Sequence, residues 1–418
     1  VLAAGALLWG MASSPATADQ IRSSQWPLKT FEAEAKVWPV SQGDGVVVAL
    51  VDSGVNADHQ DLAGQVLPGT DFSGAKTDGR LDTDGHGTAM ASLIVAAGHG
   101  SQAGLMGLAP KAKILPVRVR NNDASLEDQQ SDLRQAIRFA ADHGAKVINI
   151  SLGGYLGTDA ETRAAIKYAV SKDIVVVASA GNSGDKASPV EYPAAFPGVV
   201  AVAAVDEQGK VWEKSTFGPE TTIAAPGVQV YHAAAKSTSG YNVGNGTSDA
   251  AAYVSATAAL VRSKYPDLSA GQVINRMTKT ATPPSDGSAV PNAHYGFGIV
   301  SPAKALQPNP AVDGGSKENP LLGRAESQAA PTAGADDPVA PPVPAAAAGA
   351  GGNRGITYTL IGAGVLVLVL AGGVGGGLAL RARRRRRAAA ATAATAYPYP
   401  PGYGYPPPSQ PPQQPPYH

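Results

Sequence analysis

An open, doubly wound α/β domain with a mostly parallel sheet is what this sequence predicts, on three observations. From Val46 to about Pro302, short runs rich in Val and Ile alternate with longer helix-like stretches. The short runs are apolar throughout, as strands buried on both faces of a parallel sheet are. Beyond them the composition shifts abruptly to Pro, Ala, Gly and Asp, which closes the domain. The strand candidates are Val46–Val51, Ile114–Val119, Val147–Ile150, Ile174–Ala178 and Val199–Val205. Helical patterns lie at Thr88–Ala97, Leu126–His143, Ala160–Ser171 and Ala250–Lys264. Sheets of this kind bind ligands beyond the C-terminal ends of their strands, so those ends are where site residues are expected.

At 418 residues, 44% of them hydrophobic, the chain has room for one large domain with accessory segments. Its 33 basic and 33 acidic residues cancel, so the charge carries no footprint of a nucleic-acid partner. The absence of cysteine excludes disulfides, thiolate metal sites and a Cys nucleophile. It does not assign a compartment, because an oxidising environment permits disulfides without requiring them.

The two ends predict location. The apolar run from Val1 to Trp9, followed by Ala16-Thr17-Ala18, reads as the core and cleavage site of a truncated secretory leader over 1–18. A short N-terminal arm, 19–45, leads into the domain at 46–306. Residues 307–355 read as a disordered Pro/Ala/Gly-rich stalk, too poor in apolar side chains to offset the entropy of ordering. Residues 356–380 carry no charge over 25 positions. At about 1.5 Å per residue, such a helix crosses a hydrocarbon core about 30 Å thick. The block Arg381 and Arg383 to Arg387 follows, and the positive-inside rule places it in the cytoplasm. The expected topology is a single-pass membrane protein with its domain outside and a Pro/Tyr-rich cytoplasmic tail at 381–418.

Three segments carry the residue types of nucleophilic hydrolysis. Val48-Ala-Leu-Val-Asp52-Ser-Gly54 is a buried strand ending on a carboxylate. Asp84-Gly-His86-Gly-Thr88 sets a Gly-flanked histidine at the start of an apolar helix. Gly244-Asn-Gly-Thr-Ser248 delivers a serine to the start of another. A serine hydroxyl is a weak nucleophile at neutral pH and needs an adjacent base. Histidine suits that role once a carboxylate fixes its tautomer and stabilises the imidazolium. Singly, each residue also suits a cap or a turn.

Together, and in this order, the segments resemble the subtilisin (subtilase) family over about Val46 to Val300. The resemblance implies a serine endopeptidase in which Asp52 orients the base, His86 is the general base and acid, and Ser248 attacks. Ala178-Ser-Ala-Gly-Asn182-Ser-Gly184 resembles the segment whose Asn donates to the oxyanion. Ser151, Leu152, Gly153 and Gly154 resemble the segment that pairs with the substrate main chain and borders the pocket for the P1 side chain. Asp61 stands where many subtilisins place a calcium-binding Asp, but one carboxylate is not a site for an ion that takes six or more oxygens. No cofactor and no metal ligand set is therefore predicted, with a structural calcium kept as the alternative that the resemblance implies.

Two departures stand out. The family's usual Ser-Met-Ala-x-Pro continuation is here Ser248-Asp249-Ala250-Ala251-Ala252. A carboxylate at Asp249 suits a helix N-terminus, yet it would oppose an oxyanion if it faced the reacting carbonyl. The arm at 19–45 is also shorter than an inhibitory prodomain. Arm, leader, stalk, single helix and tail together resemble the mycosins, membrane-anchored subtilases associated with type VII secretion in actinobacteria. The implied partners are a protein or peptide substrate, the membrane and type VII secretion components. The alternative is a catalytically weak scaffold that stabilises a secretion complex, with Gly372, Gly373, Gly376 and Gly377 as a helix-packing face.

Overall fold

A computed structural model of the chain describes residues 18–100, 103–119, 125–153, 159–184 and 189–324. The expected stalk beyond Arg324, the segment 356–380 and the tail lie outside these residues, as do residues 1–17 of the expected leader. Among the described residues no helix is long and apolar enough to cross a membrane.

Strand β1 (Val47–Asp52) is buried at every position after Val47. Its side chains alternate between two cores, with Val48 and Leu50 in one and Ala49 and Val51 in the other. That two-sided burial is why the strand reads as a continuous apolar run. The remaining strands are β2 (Thr70–Asp71), β3 (Ala97–His99), β4 (Ala103–Met106), β5 (Lys113–Arg118), β6 (Val147–Ile150), β7 (Val175–Ser179), β8 (Val199–Val205), β9 (Thr221–Pro226), β10 (Val230–Ala233) and β11 (Tyr241–Gly244). Seven form one parallel sheet in the order β2-β5-β1-β6-β7-β8-β9, while β3 pairs with β4 and β10 with β11 as small antiparallel ribbons. The chain leaves β1 toward one edge and later returns on the other side at β6. The boundary between β1 and β6 is therefore the switch point where such sheets open a crevice.

The helices are α1 (Ala18–Ser24), α2 (Trp26–Thr30), α3 (His86–Val95), α4 (Leu126–Asp142), α5 (Ala160–Ser171), α6 (Thr247–Lys264), α7 (Ala270–Lys279), α8 (Pro302–Ala305) and α9 (Pro310–Asp313). Helices α4 and α5 pack side by side on one face of the sheet, and α3, α6 and α7 cover the other. Ser125 and Asp159 cap α4 and α5 by accepting from first-turn N–H groups. Helix α6 is buried from Thr247 to Arg262, packed against strands and helices on all sides. Ala, Ser and Thr dominate it because neighbouring backbones come close all round.

The arm is stitched onto the domain by side chains that bond backbone. Gln25 both accepts from and donates to the backbone of Met106, at 2.9 and 2.8 Å. Trp26 Nε1 donates to the Val228 carbonyl and Trp38 Nε1 to that of Leu108, each at 3.0 Å. Phe31 meets the ring of Tyr253 edge-on at 5.5 Å, so the arm reaches the helix that carries Ser248.

At the other end the domain runs past the expected boundary at residue 306. Fully buried Arg276 pairs with Asp313 through two nitrogens, at 2.6 and 2.5 Å, and donates to the carbonyls of Ala305 and Gln307. Arg324 donates to the carbonyls of Ala194, Phe196 and Glu220. Residues 307–324 are therefore docked, and any stalk starts later than Gln307. Their composition is as apolar-poor as expected, but they are held by guanidinium–carbonyl bonds rather than by a core of their own.

Candidate active site

The predicted residues collect at the C-terminal ends of β1, β6 and β7 and at the starts of α3 and α6. Asp52 ends β1 and is 1% exposed. His86 Nδ1 lies 2.8 Å from its Oδ1 and 3.0 Å from its Oδ2, and the Ser53 N–H donates to Oδ1 at 2.8 Å. A carboxylate accepts only, so Nδ1 carries the proton and Nε2 faces outward as the basic nitrogen. Gly87 permits this approach, because a Cβ there would overlap the Gly54 carbonyl and sit 3.2 Å from Asp52 Cβ.

Asp82, which sequence reasoning passed over, organises the entry to α3. Its buried carboxylate accepts from the N–H groups of Asp84, Gly85 and Thr88 and from the hydroxyls of Ser53 and Thr88. Ser53 Oγ in turn accepts from the Gly87 N–H at 2.9 Å. These bonds lock the His86 turn to the exit of β1. The signal was the string Leu81-Asp-Thr-Asp-Gly85 just before the helix, with the carboxylate four positions ahead of His86.

Ser248 and Asn182 meet through Thr247. The Asn182 Oδ1 accepts from the Thr247 N–H at 3.0 Å and from its hydroxyl at 2.9 Å. Its amide nitrogen is thereby turned the other way, 3.8 Å from where a Cβ on Gly246 would stand. Ser248 Oγ donates to the Ser151 carbonyl at 3.1 Å, and Ser151 Oγ lies 3.2 Å from the Ser248 carbonyl. A hydroxyl has one proton, so Ser248 points it at Ser151 here rather than at His86. Leu152 and Gly153 of the expected substrate segment follow Ser151 at the exit of β6, and Gly154 lies outside the described residues.

Asp249 does not face solvent. It is buried, its Oδ1 has no hydrogen-bond partner among the described residues, and its oxygens approach the Gly244–Gly246 turn. Burial pushes its carboxyl up to about 7, partly offset by the charge of His86. Burial alone would lower the His86 imidazole, yet the charge and hydrogen bond of Asp52, with the charges of Asp249 and Asp84, raise it to about 9. His232 on β10 also senses the His86 charge and is held low, chiefly by burial. The base must be neutral to accept a proton, so kcat/KM should climb with pH toward a limb near 9. In Asp249→Asn, His86 loses one neighbouring negative charge and the limb should move down by about one pH unit. A pH profile of kcat/KM on a peptide ester checks this; an unmoved limb would show that Asp249 does not act through the imidazole.

Asp61 is occupied by protein donors. It is fully buried and accepts from His99 Nδ1 at 2.6 Å, the Leu105 N–H at 2.9 Å and the Tyr241 hydroxyl at 2.8 Å. An imidazole, an amide and a phenol around one carboxylate do not make the oxygen cage that calcium takes. Among the described residues no group of three or more His, Asp or Glu could hold a metal ion. Here the carboxylate ties the β3–β4 ribbon to β11 instead.

This arrangement of fold and side chains belongs to a known class. Residues 43–298 match the subtilase family, and the chain is a member of that family of serine proteases. It is 38% identical to subtilisin DY of Bacillus licheniformis over 64% of this chain and 92% of that protein. Among solved structures it resembles MycP1 from Mycobacterium smegmatis, with TM-score 0.63 and 29% identity over 75% of this chain and 91% of that one. It also resembles the MycP3 protease from the type VII (ESX-3) secretion system, with TM-score 0.60 and 33% identity over 70% and 90% of the two chains.

Proposed function

We propose that the protein is an endopeptidase that cleaves exported polypeptides through an acyl-enzyme at Ser248. The observation that carries this reading is the His86 Nδ1–Asp52 pair, set beside the helix that opens on Ser248. The Ser248 proton turns from the Ser151 carbonyl to His86 Nε2 as Oγ attacks the scissile carbonyl. Asp52 stabilises the imidazolium, and His86 then returns the proton to the leaving amine. The Asn182 amide and the Ser248 N–H hold the oxyanion, and a water activated by His86 releases the acyl group. The Ser151–Gly154 segment receives the substrate main chain as an added strand.

A membrane anchor over 356–380 with the domain outside accounts for the apolar run and the Arg block behind it. Likeness to proteases of type VII secretion systems supports service to such a system, on substrates brought near by the tether. A fluorophosphonate probe tests the chemistry. The full chain should label at Ser248, and Ser248→Ala should abolish the labelling. Folded chain that stays unlabelled, or labelling that survives the substitution, would turn the reading toward a scaffold.

A further inference from the structure

Two glycines at neighbouring strand exits make room for one carboxylate. Gly153 follows β6 and Gly181 follows β7, strands paired in parallel from Val147↔Val175 to Ile150↔Ala178. A Cβ on Gly153 would overlap Glu191 Oε2, and one on Gly181 would stand 2.5 Å from Glu191 Cδ and 2.6 Å from its Oε1. A side chain at either position would evict the carboxylate. The Glu191 N–H donates to the Ala180 carbonyl at 3.0 Å, which pins the residue at the exit of β7. Glu191 is half-buried, so the group is packed yet reachable from solvent.

The nucleophile adjoins both walls of this recess. Ser248 Oγ bonds the carbonyl of Ser151, two residues before Gly153. Gly181 precedes Asn182, and its N–H donates to Thr247 Oγ1 at 3.2 Å. A peptide lying along 151–153 with its carbonyl at Ser248 would direct its acyl-side residue between these two segments. An apolar side chain there would be packed against a carboxylate and offer it no hydrogen bond or charge. A long side chain ending in a cation would bury its stem between the backbones and bring its charge to the oxygens. The attraction is screened less in a narrow backbone recess than on an open surface.

We propose that Glu191 is the specificity residue of this site and selects lysine or arginine at P1. The inference rests on the proteolytic reading above. Peptide 4-nitroanilides alike except at P1 (Arg, Lys, Leu, Phe or Glu) test it on the full chain. The expected kcat/KM for P1-Arg exceeds that for P1-Leu by roughly 30-fold, the low end for a desolvated charge pair. Glu191→Gln should collapse that ratio, and Glu191→Lys should turn the preference toward P1-Glu. A structural role would lower all substrates together and leave the ratios alone, which would overturn the proposal. So would a wild-type preference for Leu or Phe, whatever the variants do. Fluorophosphonate labelling separates the two levels: an unlabelled wild type counts against proteolysis itself, whereas labelling without a cationic preference counts against Glu191 alone.

Discussion

Asp52→Asn should lower kcat by about 10⁴-fold, the size of loss known for this change in other serine protease triads, with KM moved far less. The Ser53 N–H bonds Oδ1 at 2.8 Å and would keep an Asn carbonyl oxygen at that end. The new amide then takes the place of Oδ2, which stands 3.0 Å from His86 Nδ1. Its N–H opposes the Nδ1 proton, although Oδ1 still lies 2.8 Å away, and favours the tautomer protonated at Nε2, in which the base is lost on the side that must accept. The lost charge also removes one of the groups that hold the imidazole up near 9. Steady-state kinetics on a peptide ester give the measurement, with circular dichroism to confirm the fold. A loss of less than tenfold would mean that Asp52 does not set the tautomer.

Asn182→Leu should lower kcat by about 100- to 1000-fold at nearly unchanged KM, the range measured for this donor in a subtilisin. Thr247 holds the amide carbonyl from two directions, at 3.0 and 2.9 Å, and so orients the NH₂ group before any substrate arrives. A donor already in place gains its full bond only when the carbonyl becomes an oxyanion, so its loss appears in kcat. Leu keeps the bulk and removes the dipole. A rise in KM with kcat intact would assign Asn182 to ground-state binding instead.

Much of this site could be read in the sequence, and the reason is local. Asp52 closes an apolar run, and His86 and Ser248 each open a helix next to glycines, so chain geometry and residue type coincide at one place. The five expected sheet strands match β1, β5, β6, β7 and β8 to within a residue or two at each end, because burial on both faces leaves an unbroken apolar signal. Strand β9 went unread, since Thr221-Thr-Ile-Ala-Ala-Pro226 mixes polar and small residues and ends in Pro. The use of Asp61 was hidden for a different reason. His99 and Tyr241 are distant in the chain, and nothing in the residues around either one points to a carboxylate. The docking of 307–324 was invisible because it joins residues far apart in the chain, Arg276 to Asp313 and Arg324 to the Ala194 carbonyl. Glu191 escaped notice in the same way, as its neighbours Gly153 and Gly181 adjoin it only once β6 and β7 pair.

Helix α6 has no wet face from Thr247 to Arg262. Most helices can fray or shift at modest cost because one side already meets water. This one would have to expose interior side chains to do so, and the amides of its middle turns should be among the slowest to exchange with solvent. The nucleophile rides on an element with no low-energy way to shift. Any loosening that displaces the serine should therefore cost a large share of the stability of the whole fold.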